Sequence, residues 1–372
     1  MVLKRLDLTN FRIFDVINLE FADGINLLTG RNGCGKTSIL ESIYFLSLTK
    51  SFRTSQDIQI IKHKTDYFSI TGYLNTESES MKVSRIYYSE KEGKHMFLDN
   101  KEISRYSDYI GMIPCVLLQP DDIKLTLGAP VDRRKFLDIL LSQVSPVYLE
   151  DLKLYKRVLI QRNALLSSED DRNINHQLEV WNRQLVEHGS RIIKKRLEFI
   201  GFLDTQLESY YNDFSEKEDS IHVEYHSSIL GNKKDVTVYE IQNLFTKKIS
   251  MLFKYELYKR STAAGPHRDD VFFYKNGKFF KDFASQGENK SLIIALKLLE
   301  WKYLSQTHVT RPVLLFDDIF GELDQTRMTG LLRFLNNVGQ TFITTTLAEK
   351  FSAELMNKEI RLEEMVPGNA WK

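Results

Sequence analysis

The apolar and polar positions of this chain change rhythm several times. At the start the rhythm is the two-residue one of half-buried strands: Val2 to Leu8 alternates, and so does Val16 to Phe21. Asp23-Gly24 predicts a turn into Gly24-Ile25-Asn26-Leu27-Leu28-Thr29, a short buried strand. Ser38 to Leu46 switches to helical spacing, with Ile39, Leu40, Ile43 and Leu46 on one face. After the basic polar loop Lys50-Ser51-Phe52-Arg53-Thr54, alternation returns at Tyr67 to Leu74 and Met81 to Tyr88, joined by the polar segment Asn75 to Ser80. Phe97 to Ile103 predicts one more tight hairpin, so an antiparallel layer is expected beside residues 24–46.

Near Pro130 the rhythm becomes helical. Val131 to Leu141, Pro146 to Leu166 and Gln177 to about Phe214 predict long, charged, amphipathic helices, the last two linked by the polar run Ser167 to Asn175. Leu178, Trp181, Leu185, Ile192, Ile193 and Leu197 recur at helical spacing, which predicts a helical lobe with solvated faces rather than a long coiled coil. Val236 to Arg260 predicts a further helix, Val271 to Phe280 a hairpin about Asn276-Gly277, and Glu288 to Leu304 another helix. Val313-Leu314-Leu315-Phe316 is then a continuous apolar run that ends in Asp317-Asp318, the pattern of a parallel strand buried on both faces.

Composition changes this picture little. The chain has 372 residues, 42% hydrophobic and 27% charged, which suits a globular protein with room for two or three domains. A net charge of +1 excludes a globally basic surface, so any contact with nucleic acid must be local. Candidates are Arg53, Arg133, Arg134, Lys135, Lys194, Lys195 and Arg196. The two cysteines, Cys34 and Cys115, form no metal-ligand spacing and suit a reducing compartment. The N-terminus lacks an apolar leader and no run is long enough to span a bilayer, so a cytoplasmic protein with no membrane partner is expected.

The candidate chemistry sits between the buried strand and its helix. Gly30-Arg31-Asn32-Gly33-Cys34-Gly35-Lys36-Thr37 fits G-x-x-x-x-G-K-[ST], and strand, glycine-rich loop and helix are the context that motif needs. Its glycines let successive N–H groups point at nucleotide phosphates. Lys36 supplies a point charge to the outer phosphates, and the Thr37 hydroxyl can ligate Mg²⁺. Asp317, at the end of an apolar strand, is assigned to hold the same cation, and Asp318 to orient or deprotonate the attacking water.

Some 280 positions separate Lys36 from Asp317, so one nucleotide-binding domain must be split by an inserted module. Such a split resembles the heads of the SMC and Rad50 group, which share the ABC-type ATPase fold. Phe283-Ala284-Ser285-Gln286-Gly287-Glu288-Asn289-Lys290 looks like the signature loop of those ATPases. It opens a helix about 30 positions before Asp317, with a hydroxyl at Ser285, close backbone approach at Gly287 and a helix N-terminus for a phosphate. Gly321-Glu322-Leu323-Asp324 follows as the dimer-contacting loop does there.

With these segments, Leu8-Thr9-Asn10-Phe11-Arg12, Ser51-Phe52-Arg53-Thr54, Pro120-Asp121-Asp122, Gly128-Ala129-Pro130, Arg133 to Asp138, and Gly265-Pro266-His267-Arg268-Asp269-Asp270 extend the likeness over nearly the whole chain. The sequence resembles the RecF family of bacterial recombination mediator ATPases. It departs at Glu288-Asn289, where the family usually has glutamine, and at Asp121, where it usually has glutamate. The resemblance implies an α/β fold: an ABC-type P-loop ATPase head, a mixed sheet with helices plus an antiparallel β layer, interrupted by an α-helical lobe. The expected limits are 1–128 for the first ATPase part, 129–260 for the lobe and 261–372 for the second ATPase part. Arg12 and Gln119 join the expected nucleotide site, Gln119 as the glutamine that senses Mg²⁺ in related ATPases, and Ser285 serves the site of a second copy.

The implied activity is slow, Mg²⁺-dependent ATP hydrolysis, because Asp318 is one methylene shorter than the usual catalytic glutamate. The implied partners are an ATP-dependent homodimer, DNA at single strands and duplex or gap junctions, and mediator proteins of the same pathway, with roles in recombinase loading and the SOS response. Two rival readings stand beside it. A transporter-type ATPase subunit would lack the long insertion, and a structural SMC-like head would use ATP for assembly and ignore DNA gaps.

Overall fold

The computed structural model describes residues 1–76, 80–168, 174–215, 217–231, 233–308, 310–335, 338–346, 351 and 356–365. The expected links Asn75–Ser80 and Ser167–Asn175 lie partly outside these described residues. In chain order the elements are β1 (Val2–Phe11), β2 (Phe14–Glu20), β3 (Ile25–Thr29), α1 (Lys36–Leu48), β4 (Tyr67–Asn75), β5 (Met81–Ser89), β6 (Gly93–Leu98), β7 (Lys101–Glu102) and β8 (Cys115–Leu118). They continue with α2 (Lys124–Leu127), α3 (Pro130–Val144), α4 (Pro146–Leu166), α5 (Ile174–Asn212), β9 (Ile221–His226), α6 (Val238–Lys259), β10 (Asp270–Lys275), β11 (Lys278–Phe279) and α7 (Phe280–Phe283). Last come α8 (Gln286–Thr307), β12 (Val313–Asp317), α9 (Gln325–Leu335), β13 (Thr341–Thr345), β14 (Lys358–Arg361) and α10 (Leu362–Met365).

Packing divides the chain into two compact units, residues 1–122 with 297–372, and residues 123–296. The first unit holds two sheets. One is antiparallel, in the order β2-β1-β4-β5-β6-β7. Its inner face is the apolar half of the alternation, with Leu6, Leu8, Phe68, Ile70 and Ile86 fully buried. The other has the order β14-β3-β13-β12-β8, and each of its pairings is parallel. Its inner strands β3, β12 and β13 are buried at every position and, apart from Asn26 and Asp317, are apolar or β-branched, as burial on both faces demands. In parallel strands all carboxyl ends point the same way, so Thr29, Asp317 and Thr345 finish at one edge. Ligands of open α/β sheets bind at such an edge.

The second unit is built on long helices whose starts follow from their first residues. Pro130 and Pro146 open α3 and α4, Ser145 accepts the Tyr148 amide, and Thr237 with Glu240 forms a reciprocal capping box at α6. The unit is not wholly helical. Ile221, Val223 and Tyr225 alternate with His222, Glu224 and His226, and this strand pairs antiparallel with β10 in a sheet of order β11-β10-β9. The unit starts near the expected 129 but runs past the expected 260, because β10 pairs with β9 on one side and β11 on the other, and α3 packs on β10. Among the described residues no helix is long and apolar enough to cross a membrane.

Candidate functional site

β3 runs into the loop Gly30 to Gly35, and α1 begins at Lys36. Gly30, Gly33 and Gly35 all take positive φ, at 139°, 87° and 95°. A side chain would be strained there, and at Gly35 it would also collide with the Phe14 ring. No side chain caps α1 among the described residues, and its first turn carries no acid. Its N-terminal amides therefore face the loop without a protein anion, the arrangement that suits a phosphate. Lys36 is 7% exposed, and its ammonium donates to the Gly30 carbonyl at 2.6 Å and the Arg31 carbonyl at 3.0 Å. The Arg31 amide donates to the carboxylate of Glu363 at 2.5 Å. Cys34 is buried and is a free thiol, as is Cys115.

The second half of the site comes from β12 and β13. The Thr37 hydroxyl donates to Asp317 Oδ1 at 2.9 Å, which joins the loop to the end of β12. The Thr344 hydroxyl donates to the same oxygen at 2.9 Å and accepts the Asp318 amide at 2.9 Å. One fully buried hydroxyl thus fixes both acids. Asp318 is exposed, and its φ of 52° is a left-handed backbone that non-glycine residues adopt at a cost. Burial pushes the Asp317 carboxyl above the usual carboxylate range, opposed by its bonds from Thr37 and Thr344; the Asp318 charge adds to the rise and the Arg53 charge opposes it. Phe316 pairs with Leu118 across the sheet, so Gln119 lies one step past the end of β8, beside Asp317. The Gln119 amide donates to Asp122 at 2.8 Å.

Around this edge Glu41 of α1 gathers three groups the motif pattern does not include. It is fully buried and accepts Arg12 Nε at 2.8 Å, Arg12 Nη2 at 2.5 Å, the Ser51 hydroxyl at 2.5 Å and Arg53 at 3.3 Å. Arg12 also donates to the Gln59 carbonyl at 2.7 Å, so its guanidinium is engaged within the protein. Glu41 lies outside the apolar face of Ile39, Leu40, Ile43 and Leu46, but α1 is buried at nearly every position, and this brings its carboxylate inside.

The second unit carries the remaining expected residues. Ser285 stands immediately before α8. Its amide donates to Glu288 at 2.7 Å, and its oxygen accepts the Glu288 amide at 3.2 Å, a reciprocal cap. Gly287 lies within that first turn. Burial pushes the Glu288 carboxyl up, but Lys275 and the Ser285 bonds hold it below its usual range. The glutamate that departs from the family pattern is therefore part of the local structure. Of the basic residues proposed for nucleic acid, Arg133 and Arg196 are buried: Arg133 is held bidentate by Asp270 at 2.7 and 2.9 Å, and Arg196 donates to Asp138 at 2.8 Å. They are structural ion pairs and not a surface. Arg53 lies at the candidate nucleotide site, where its guanidinium donates to Glu41 and its charge acts on Asp317.

Known proteins resemble this chain over nearly its whole length. The RecF/RecN/SMC N-terminal domain family matches residues 2–366. The DNA replication and repair protein RecF of Streptococcus gordonii is 37% identical over 369 residues, 99% of each chain. That of Chloroherpeton thalassium is 37% identical over 356 residues, 95% of this chain and 96% of the relative. The chain belongs to the RecF family. Among solved structures, the recombination mediator protein RecF with ATP, of the RecFOR pathway, superposes on this RecF-family chain with a TM-score of 0.87 at 29% identity, over 94% and 93% of the two chains. An Smc head bound to the C-winged helix domain of ScpA, at TM-score 0.52 and 16% identity, shares the fold alone.

The oxygen donors suit a hard cation. Thr37 Oγ1 and Asp317 Oδ1 are 2.9 Å apart at the mouth of a glycine loop whose amides suit phosphate. No cluster of three or more His, Cys, Asp or Glu suited to a metal occurs among the described residues. A cation held by Thr37 and Asp317 would thus share its shell with phosphate and water oxygens, as Mg²⁺ commonly does.

Proposed function

We propose that this chain is an ATP-dependent DNA-binding protein of recombinational repair and replication, in which ATP joins two copies and hydrolysis releases them. The observation that carries it is the meeting of Lys36, Thr37, Asp317 and Asp318 at one sheet edge, with Thr344 fixing both acids. Gly30, Arg31, Asn32, Gly33, Cys34 and Gly35 present backbone N–H groups to the phosphates, the Arg31 amide leaving Glu363 as Lys36 turns from its loop carbonyls to them. Thr37 and Asp317 would hold Mg²⁺, which would offset charge on the outer phosphates. Asp318 orients the water and accepts its proton. Its short side chain makes turnover slow, which suits a timed clamp.

In this reading residues 1–128 and 261–372 serve ATP and 129–260 form the lobe, with 261–296 packed on the lobe while their signature loop serves ATP. Ser285 and Gly287 complete the nucleotide site of a second copy; the Ser285 oxygen already accepts the Glu288 amide, and its hydroxyl proton is available to a phosphate. Arg12 and Gln119 flank the site. The names of the relatives support DNA replication and repair, and a recombination mediator pathway, as the setting. The reading adds single-stranded DNA and duplex or gap junctions as the DNA partners, with mediator proteins of the same pathway, recombinase loading and the SOS response. The test is ATP hydrolysis with and without gapped duplex DNA. Stimulation by the gap is expected; indifference to it would favour a structural head and contradict the repair reading.

A further inference from the structure

We propose that the outer face of α6 is a contact for single-stranded nucleic acid. This rests on the DNA-binding reading above and adds where on the second unit a strand would lie. α6 turns Ile241, Phe245, Ile249 and Glu256 inward, where all four are buried. The opposite face presents Lys247, Met251, Lys254, Tyr255 and Tyr258, at spacings of four, three, one and three residues. At 1.5 Å per residue they make one stripe about 16 Å long. Met251 and Tyr258 are each 80% exposed and Tyr255 is 50% exposed. The helix is already anchored without them, since Phe253 and Leu257 pack against Leu166 and Leu178. Large apolar groups left in water along one helix face mark a place where something binds.

Charge selects the kind of partner. From Val238 to Arg260 the chain has Lys247, Lys248, Lys254, Lys259 and Arg260 against two acids, Glu240, which is held by Thr237 in the capping box of the first turn, and Glu256. Glu256 is fully buried and accepts Arg162 at 2.5 Å, so it does not weaken the positive face. Lys259 Nζ lies 5.5 Å from the Tyr258 ring centre and 6.0 Å from that of Tyr255. Rings reached by a cation from the solvent side are open to a base as well. Flat rings interleaved with lysines match the alternation of bases and phosphates in a single strand, which is bound by stacking and backbone neutralisation without sequence preference. A duplex offers the phosphates but no free base faces.

The test uses the full chain and fluorescence anisotropy with a labelled oligo-dT strand, a duplex of equal length and labelled poly-glutamate, over a salt series. Tyr255→Ala/Tyr258→Ala is expected to weaken single-strand binding at least tenfold and leave duplex binding within about twofold. Lys247→Gln/Lys254→Gln should lower the single-strand salt slope by about 1.4, from two lost phosphate contacts at about 0.7 each. All four side chains are exposed or at the surface of the helix, and a thermal melt matching the parent shows that the variants fold. A tyrosine variant that binds the strand like the parent overturns the proposal, and so does an equal loss for strand and duplex. Loss of poly-glutamate binding with strand binding intact points to an acidic protein partner and also overturns it. If the parent binds neither DNA, the DNA-binding reading itself fails.

Discussion

Thr344→Val isolates the contact that ties the two acids together. Valine keeps the shape of a fully buried threonine but removes the hydroxyl that donates to Asp317 and accepts the Asp318 amide. A hydrogen bond to a charged group contributes about 1.5–3 kcal/mol, and a stranded buried donor costs about 1–3 kcal/mol. The two share one hydroxyl and do not add, so a total of about 2–4 kcal/mol is expected. In a unit of this size each kcal/mol moves the melting temperature by about 2–4 °C, so a fall of roughly 4–16 °C follows. Function should change in a second way. The Thr344 bond holds down an Asp317 carboxyl that burial pushes up, so its loss raises that carboxyl further. The acid limb of the pH–rate profile of ATP hydrolysis should therefore shift to higher pH. Left-handed Asp318 also loses its anchor, so kcat should fall more than nucleotide affinity. Thr344→Ser keeps the hydroxyl and should restore both. Parent-like melting and hydrolysis in Thr344→Val would refute the reasoning.

Three further outcomes are expected. Lys36→Ala removes one charge-assisted phosphate contact of about 1.5–3 kcal/mol, so the Kd for ATP by calorimetry should rise about tenfold or more; an unchanged Kd would remove the phosphate role from this loop. Asp318→Asn keeps Thr37 and Asp317 in place, so ATP binding should survive while phosphate release nearly stops; a parent-like rate would assign the water to another group. Glu300 is buried with Lys297, 3.2 Å away, and Asp122, and burial lifts its carboxyl to about 7. The folded chain then keeps a proton that the unfolded chain has released, so this group's contribution to stability falls as pH rises from about 4.5 to about 7 and is level above. Melting curves across that window should flatten in Glu300→Gln, and an unchanged slope would point to other groups.

The parallel-sheet edge was legible in the sequence because each part has a local cause. Gly30, Gly33 and Gly35 are needed for backbone angles, and Val313 to Phe316 is apolar throughout because both faces are covered. What stayed hidden depends on partners distant in the chain. Thr344 is one of several threonines in Thr341–Thr345, and only the pairing of β12 with β13 shows that it reaches Asp317. Glu41 would pass for a solvated helix residue until the fold brings Arg12 and Arg53 to it. The charge of Arg133 and Arg196 marked them as candidates for a surface, but Asp270 and Asp138 neutralise them inside the second unit. β9 did alternate in sequence, and the long helices on either side of it masked the signal.

The central claim is that ATP joins two copies through the loop at Ser285. Ser285 belongs to one packing unit and Lys36 to the other, and the cap that Ser285 makes with Glu288 contributes about 1 kcal/mol, so Ser285→Arg should leave the fold intact. The direct measurement is sedimentation velocity of the parent and of Ser285→Arg, with and without ATP and Mg²⁺, beside nucleotide binding by each. The account predicts that ATP converts the parent from monomer to dimer, and that Ser285→Arg binds ATP nearly as well and stays a monomer. A Ser285→Arg chain that still dimerises with ATP, or that loses nucleotide binding as a monomer, would contradict it.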